Sequence, residues 1–294
     1  MSRIATISVP ATSANLGPGF DSLGVALELR DVVSVELTDT RGIRVRVSGE
    51  GSDRLPTDER HLVAKVVSKA LVDLGVEFTG IEITCTNKIP QGRGLGSSAA
   101  AVVAGLAGAS ALANEGDVDL DWVFAQAVAY EGHPDNAAAC VYGGLTVAWS
   151  AEHPHARSVQ ILPEIKAILG VPSGELLTEH ARGLLPDLVP HVDAAFNSAR
   201  SALLIIGLTQ DSSVLLAATD DRLHQNYRAE AYPDSMAVVS ALRSAGVAAC
   251  ISGAGPAVLA FVIHGQDDYA TKILANAGFS AHNLPFAERG ITVV

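Results

Sequence analysis

The segment from Pro90 to Ala100 has the residue types and the spacing of an anion-binding loop. It reads Pro-Gln-Gly-Arg-Gly-Leu-Gly-Ser-Ser-Ala-Ala and runs directly into an alanine-rich stretch of helical character. Glycines let backbone N–H groups turn into one concavity, and the first turn of a helix adds unpaired N–H donors and a partial positive charge. We therefore expect a phosphate group to bind here.

The spacing of Gly92, Gly94 and Gly96 distinguishes this loop from two commoner phosphate-binding motifs. A Walker A loop needs a lysine after its last glycine, and no lysine follows Gly96. A dinucleotide-binding turn needs the order G-x-G-x-x-G, whereas the order here is G-x-G-x-G followed by two serines. The alternative is a simple turn before a helix capped by Ser97 or Ser98. From this segment alone, both interpretations stay open.

Three further loops collect polar or turn-forming residues. Pro10–Asp21 follows a predicted strand and is rich in small, hydrogen-bonding side chains; Glu131–Asn136 brings together carboxylates, an imidazole and an amide; Ile251–Ala257 is a second glycine-rich turn. Each also has a structural interpretation, as a connector, a satisfied histidine or a hairpin turn. Since Mg²⁺ next to phosphates requires a carboxylate, Glu131 favours a functional interpretation of the second loop.

Arg200 and Arg228 are the arginines that we single out as candidate anion ligands. Arg200 lies on an otherwise apolar predicted helix, and Arg228 lies in the sequence Tyr-Arg-Ala-Glu. A guanidinium group binds a carboxylate through two parallel hydrogen bonds. Most arginines lie on the surface and bind no substrate, so the structural alternative stays open for both.

Hydrophobic periodicity predicts the elements that position these loops in the first half of the chain. The apolar positions 62–74 indicate a helix with Thr57 or Asp58 as its N-cap and Gly75 as its stop. We call the loop Pro90–Ala100 the cradle. The residues that follow it predict helices over 97–113 and 120–130, the second capped by Asp117 or Asp119. Predicted strands cover 5–9, 43–47, 81–86 and 143–150.

The hydrophobic pattern of the second half of the chain predicts a further mixture of strands and helices. Strands are expected at 165–171, on both sides of Gly253–Gly255 and at 291–294, with helices at 187–206, 212–219, 234–245 and 267–277. Such a mixture is typical of an α+β fold. The polar stretch 151–158 suggests a boundary between a nucleotide-binding domain at 1–155 and a second domain at 156–294.

Composition limits the classes of function. The chain has 294 residues, 48% of them hydrophobic, and a formal charge of −12, which argues against broad nucleic-acid or anionic-membrane surfaces. The N-terminus resembles a strand more than a secretory signal, which suggests the cytoplasm, and 99–113 is expected to be a buried helix. Cys85, Cys140 and Cys250 are expected to be buried thiols.

The order of the loops resembles the three motifs of the GHMP small-molecule kinases, and within them the homoserine kinases. The resemblance is carried by Pro10–Asp21 with its extension Ser22-Leu23-Gly24, by Pro90–Ala100, by His133-Pro134-Asp135-Asn136 and by the turn at Gly253. It implies a ribosomal S5 domain 2-like N-terminal domain and a ferredoxin-like C-terminal domain. Galactokinases differ from this chain in the first loop, where they carry a sugar-binding motif.

The resemblance also implies the role of each site residue. Ser98, or less strongly Ser97, and Glu131 are expected to hold Mg²⁺; the role of Glu131 assumes a deletion relative to family members whose glutamate lies further from the turn. The residues expected to wrap the ATP phosphates are Pro90, Gln91, Gly92, Arg93, Gly94, Leu95, Gly96, Ser97, Ser98, Ala99 and Ala100. The residues expected to contact the amino acid are Asn15, Asp21, His133, Asn136, Arg200 and Arg228.

Within this set, Asp21 suits the substrate ammonium group, Asn136 the reacting hydroxyl group, and Arg200 and Arg228 the carboxylate. The implied reaction converts ATP and L-homoserine to ADP and O-phospho-L-homoserine, a step of threonine biosynthesis, with Asn136, Ser98 and Glu131 at the reacting groups and no catalytic aspartate. A homodimer is possible. The alternatives are a GHMP kinase for another small alcohol, of the mevalonate or sugar type, and a non-catalytic ATP-binding protein of the same fold.

Overall fold

Eleven strands and nine α-helices occur in the computed structural model, which describes residues 4–176 and 178–294. The strands are β1 (Ile4–Ala14), β2 (Leu23–Thr38), β3 (Gly42–Gly49), β4 (Gly80–Asn87), β5 (Leu145–Ser150), β6 (Pro154–Val159), β7 (Lys166–Val171), β8 (Ala248–Ile251), β9 (Val258–Val262), β10 (Ser280–Leu284) and β11 (Thr292–Val293). The helices are α1 (Leu62–Asp73), α2 (Ser97–Ala113), α3 (Leu120–Glu131), α4 (Asp135–Tyr142), α5 (Thr178–Gly183), α6 (His191–Thr209), α7 (Leu215–Ala218), α8 (Pro233–Ser244) and α9 (Asp267–Asn276).

The first sheet has seven strands and supports the cradle. Its central order is β11-β1-β2-β4-β3, with β5 paired to the start of β2 and β6 paired to β5. Because β3 and β4 run parallel, their connection must cross the sheet, and α1 makes this crossing. The long strands β1 and β2 pair antiparallel and are joined by the loop Asn15–Ser22, beside the cradle.

The second sheet has four antiparallel strands in the order β10-β7-β9-β8. Numbered along the chain, this order is fourth, first, third, second, with helices between the first and second strands and between the third and fourth. This is the ferredoxin-like βαββαβ arrangement. Apolar side chains of α8 and α9, among them Leu242 and Leu274, pack on this sheet. The expected α+β architecture is confirmed.

Helix α2 is the buried centre of the first domain. It begins and ends as predicted, and nearly all of its side chains are buried against the sheet and α1. Gly105 and Gly108 allow this close packing, because a Cβ atom at either position would lie 3.0 Å from a valine of α1 or of β2. Among the described residues, no helix has both the length and the apolar character needed to cross a bilayer.

Four local predictions need correction. Helix α1 is capped by His61, whose Nδ1 accepts from Val63 N at 3.2 Å, because Asp58 instead forms a turn and binds Arg60.

Helix α4 was not predicted, because Gly132 and Pro134 suggested only a turn, although a proline is well tolerated at a helix start. The long strand β2 was not predicted either. The polar stretch 151–158, expected to be a boundary segment, contains β6, an edge strand. The division of the chain into domains at residue 155 stays a prediction.

The three cysteines are buried free thiols, as expected. Burial raises the pKa of Cys85 to about 12 and that of Cys250 to about 12. A thiol becomes reactive through its thiolate form, so these side chains act as small apolar groups.

Candidate active site

The loops at the edges of the two domains enclose a cavity of about 460 Å³. Its walls come from both domains, since the first sheet supplies the Asn15 loop and the cradle, and the second supplies the turn at Gly253. The predicted site residues that line it are Asn15, Gly92, Gly94, Leu95, Gly96, Ser97, Ser98, Ala99, Glu131, His133, Asn136 and Arg228. The predicted residues that are not part of this lining are Asp21, Pro90, Gln91, Arg93, Ala100 and Arg200.

The backbone of the cradle adopts conformations that residues with a Cβ atom rarely adopt. Gly92, Gly94 and Gly96 have φ angles of 64°, 73° and 67°, in the left-handed region. Space is also short, because a Cβ atom on Gly94 would lie 2.2 Å from Ser252 O and one on Gly96 would lie 2.0 Å from Thr12 Oγ1. The glycines therefore satisfy two requirements at once, the turn of the loop and its contact with neighbouring segments.

Helix α2 presents its N-terminus to the cavity. Its N-cap is Gly96, and neither serine caps it, so the simple alternative of a serine-capped turn is wrong. The first helical hydrogen bond runs from Ala100 N to Gly96 O at 2.8 Å. The N–H groups before Ala100 have no place in this helical ladder, and they lie at the positive end of a 17-residue helix. This geometry is well suited to phosphate oxygens.

The hairpin turn between β8 and β9 holds the cradle and the first loop together. Ser252 Oγ lies 2.7 Å from Gly94 O and 2.8 Å from Ser13 Oγ, and Gly253 N donates to Ala14 O at 3.0 Å. Ala257 N donates to Arg93 O at 3.1 Å. The turn is therefore both a hairpin connection and part of the cavity wall.

The loop after β1 is held in an uncommon conformation. Asn15, Leu16 and Asp21 have φ angles of 67°, 51° and 53°, which non-glycine residues adopt at functional or tightly held sites. Both ends of the Asn15 amide are used inside the protein: Nδ2 donates to Gly253 O and Oδ1 accepts from Asp21 N, each at 3.0 Å. Asn15 thus lines the cavity while it fixes the loop that carries Asp21.

Two arginines, Arg182 and Arg228, line the cavity, and Arg182 is paired with Asp21, which lies outside the lining. Arg182, on α5, binds Asp21 through both terminal nitrogens, at 2.6 and 3.2 Å. Burial lowers the pKa of Arg182, but the hydrogen bonds and charge of the Asp21 carboxylate outweigh this effect. The pKa of Arg182 is therefore raised above its ordinary value. The Phe20 ring lies under both cations, 5.7 Å from Arg182 Cζ and 5.4 Å from Arg228 Cζ. The first loop therefore provides both an anion and an aromatic face.

Arg228 is a buried cation that forms no ion pair within 4.0 Å among the described residues, although Asp21 and Asp221 are near enough to favour its charge. It is 1% exposed, and its hydrogen bonds go to Ala181 O at 2.9 Å and to His224 Nδ1 at 3.4 Å. Burial lowers its pKa, which records the cost of keeping the charge out of water. A buried guanidinium group that lines a cavity without a directly paired carboxylate is suited to an anionic ligand group.

A buried network behind these arginines fixes their position. His224 Nε2 donates to Gly17 O at 2.7 Å, and burial lowers the pKa of this histidine, so the ring is neutral. Asn197 Nδ2 donates to Pro18 O at 3.1 Å and to Asp221 Oδ1 at 2.9 Å. These contacts join the second domain to the first loop directly beneath the cavity.

The turn between α3 and α4 places an imidazole and an amide side by side. His133 Nδ1 lies 2.9 Å from Asp135 Oδ1, and this hydrogen bond raises the pKa of His133 despite its partial burial. Asp135 Oδ1 also accepts from Asn136 N at 2.7 Å. Asn136 lines the cavity, and its Oδ1 accepts from Thr12 Oγ1 at 2.8 Å.

Ser98 and Glu131 meet at the mouth of the cradle. Ser98 Oγ donates to Glu131 Oε1 at 2.9 Å, and both residues line the cavity. Within the described residues, no group of three or more histidine, cysteine or acidic side chains forms a metal site. One hydroxyl and one carboxylate are nevertheless the protein ligands that Mg²⁺ needs when substrate phosphates supply further oxygens.

Arg200 does not reach the cavity lining. Its guanidinium group lies 4.6 Å from the centroid of the Phe196 ring on the same helix, and its buried Nε has no hydrogen-bond partner. The second arginine of the cavity is Arg182, which sequence reasoning missed. Its segment carries no glycine-rich or periodic signal, and only its pairing with Asp21, 161 positions away, reveals it.

Comparisons with known proteins agree with this site. Residues 61–144 match the family described as GHMP kinases N terminal domain, and residues 206–278 match GHMP kinases C terminal. A homoserine kinase of Streptomyces avermitilis is 50% identical over 98% of this chain and 95% of its own length, and one of Streptomyces coelicolor is 48% identical over 98% and 94%. The crystal structure of homoserine kinase from Cytophaga hutchinsonii superposes with a TM-score of 0.89 at 28% identity, covering 100% of this chain and 98% of that one. The chain belongs to the homoserine kinase family of the GHMP kinases.

Proposed function

We propose that this protein transfers the γ-phosphoryl group of ATP to the side-chain hydroxyl group of L-homoserine. The observation that carries the proposal is one cavity with two unlike ends, a backbone cradle for phosphates and a group of charged side chains for an amino acid. An amino-acid substrate needs both a cationic and an anionic partner, and Arg228 and Asp21 supply them. A cytoplasmic location and a homodimeric state stay predictions.

At the nucleotide end, the backbone from Gly92 to Ser98 surrounds the β- and γ-phosphates. The N–H groups at the start of α2 donate to phosphate oxygens, and the helix dipole adds positive potential. Ser98 and Glu131 would hold Mg²⁺, and the cation would offset the negative charge of the phosphates. The outer members of the predicted set, Pro90 and Ala100, support the loop from outside the lining.

At the amino-acid end, Arg228 and Arg182 bind the substrate carboxylate. Asp21, whose two oxygens accept from Arg182 in this structure, also accepts from the substrate ammonium group. Arg182 takes the place that sequence reasoning gave to Arg200. His133 and Asn136 also line the cavity, and the substrate side-chain hydroxyl group is placed beside them.

The chemical step is an in-line displacement. The hydroxyl oxygen forms a bond to the γ-phosphorus, the bond from that phosphorus to the bridging oxygen breaks, ADP leaves with the electron pair, and the hydroxyl proton is released. The transition state is loose, so that the protein contributes mainly orientation and charge stabilisation. Donors at the start of α2 face the equatorial phosphoryl oxygens, where negative charge is spread.

A coupled assay for ADP release tests the proposal. We expect turnover with homoserine to exceed turnover with serine, threonine, mevalonate and galactose, and we expect O-phosphohomoserine as the product by phosphorus NMR. Faster turnover with mevalonate or galactose would identify a kinase for another alcohol. Binding of ATP without ADP release from any acceptor would identify a non-catalytic binding protein.

The role of Glu131 has its own test. We expect Glu131→Gln to lower kcat and to raise the Mg²⁺ concentration needed for half-maximal turnover, because the amide loses the charge that holds the cation. Glu115→Gln, in the exposed turn after α2, is the matched control and should change neither quantity. Unchanged turnover of the Glu131 variant at every Mg²⁺ concentration would place the metal elsewhere.

A further inference from the structure

Thr12 is a fully buried polar side chain that touches both the cradle and Asn136. Its Oγ1 donates to Asn136 Oδ1 at 2.8 Å, and its backbone N donates to Leu95 O at 3.0 Å. The same hydroxyl occupies the space that a Cβ atom on Gly96 would need, at 2.0 Å. A single side chain near the end of β1 thus connects the phosphate loop with the amide at the centre of the cavity.

The hydrogen bond decides which end of the Asn136 amide faces the substrates. A side-chain amide has an acceptor oxygen and a nitrogen with two donor hydrogens. The oxygen is bound by the Thr12 hydroxyl group, and Nδ2 has no hydrogen-bond partner within residues 4–176 and 178–294. Since Asn136 lines the cavity, the N–H end is the one that remains for a ligand.

We propose that Thr12 is a positioning residue for phosphoryl transfer, which holds the Asn136 amide so that Nδ2 donates to the oxygen of the substrate hydroxyl group. In this orientation Asn136 fixes the direction of the attacking oxygen and does not accept its proton. The inference rests on the proposed function, because that function places the hydroxyl group beside Asn136.

Loss of the Thr12 hydroxyl group has a specific consequence. A valine would keep the volume of the side chain but would leave Oδ1 without its donor, and the amide could then turn its oxygen toward the cavity. The charged anchors are untouched by the change, and the contact of Thr12 with the cradle through its backbone N and Leu95 O does not depend on the side chain, so the substrates would still bind. The effect is therefore expected in turnover and much less in substrate binding.

The test compares Thr12→Val with Thr12→Ser, which keeps the hydroxyl group. We expect kcat of Thr12→Val to fall by about 10- to 100-fold, as small errors of alignment cost that much, with KM for ATP and for homoserine within about threefold. Thr12→Ser should lose no more than about threefold in kcat, because the hydrogen bond can be rebuilt. Thermal unfolding of each variant reports any loss of folding; if Thr12→Val is unfolded, Thr12→Ala against Thr12→Ser gives the same comparison.

A double-variant cycle with Asn136→Ala separates positioning from a general structural role. If Thr12 acts through Asn136, Thr12→Val should lower kcat no further in a chain that already carries Asn136→Ala. Additive losses, or wild-type kcat in Thr12→Val, would overturn the inference. Failure of the proposed function looks different, since homoserine would then not be phosphorylated by the wild-type protein, or Asn136→Ala would leave kcat unchanged.

Discussion

The two ends of the cavity are built by different means. The nucleotide end consists of backbone, with three left-handed glycines and the start of α2 from one continuous segment. The amino-acid end consists of side chains from segments far apart in the chain: Arg182 and Arg228 line the cavity, and Asp21 is paired with Arg182. Backbone donors suit a ligand common to many enzymes, whereas side chains can be exchanged to suit one substrate. Variants at the first end should impair use of ATP, and those at the second should impair recognition of the amino acid.

The largest expected effect comes from the cradle. Gly94→Ala places a methyl group 2.2 Å from Ser252 O, a backbone atom that cannot rotate away. We expect kcat/KM for ATP to fall by about 100-fold or more, because the loop must shift by roughly an ångström. Gly75→Ala is a matched control, with a φ of 72° against 73° and no atom near the new methyl group, and it should leave kcat/KM unchanged.

The next largest effect is expected at the amino-acid end. Arg228→Leu should raise KM for homoserine by about 30-fold or more, since a buried carboxylate contact contributes about 2 to 5 kcal/mol, with little change in KM for ATP. Arg200→Leu is the matched control, since that arginine lies outside the cavity lining, and its KM for homoserine should equal that of the wild type. A larger change in the Arg200 variant than in the Arg228 variant would reverse the assignment.

A smaller effect is expected at Phe20, whose ring faces both arginines of the cavity. Phe20→Leu should raise KM for homoserine by about 3- to 10-fold, since each contact of a cation with a ring contributes about 0.5 to 2 kcal/mol. Phe196 offers a control, because Arg200 and Arg222 lie over its ring at 4.6 and 3.9 Å, away from the cavity. Phe196→Leu should leave KM unchanged; equal shifts in both variants would show that the role of Phe20 is general packing.

The smallest effect concerns the charge of His133. Because Asp135 raises its pKa above the ordinary 6.5, protonated His133 stabilises the fold below about pH 6.5, and this contribution is lost as pH rises through the raised pKa. The difference in unfolding free energy between the wild type and Asp135→Asn should therefore be larger at pH 5.5 than at pH 8.5. NMR should show a His133 titration midpoint above 6.5 in the wild type, lowered in the variant. A pH-independent difference would contradict this.

The same contrast explains what the sequence could predict. Helix α2 and the cradle were predicted with their limits, because alternating glycines directly before an apolar helix indicate the local geometry within one continuous segment. Arg182 was missed and Arg200 was chosen, because the partner of Asp21 is decided by how α5 approaches the first loop. Helix α4 was missed because Gly132 and Pro134 are also turn residues. The chemistry of one continuous segment can be predicted from its sequence, whereas contacts between distant segments can be identified only from the folded structure.

The most direct measurement is the specificity of the wild type and of Arg228→Leu for homoserine against 3-aminopropan-1-ol, which lacks only the carboxylate. If Arg228 binds that carboxylate, the wild type should prefer homoserine by about 30-fold or more in kcat/KM, in line with about 2 kcal/mol or more for the contact, and Arg228→Leu should lose most of this preference. Equal preference in both proteins would contradict the account of a cavity with a side-chain end that recognises an amino acid.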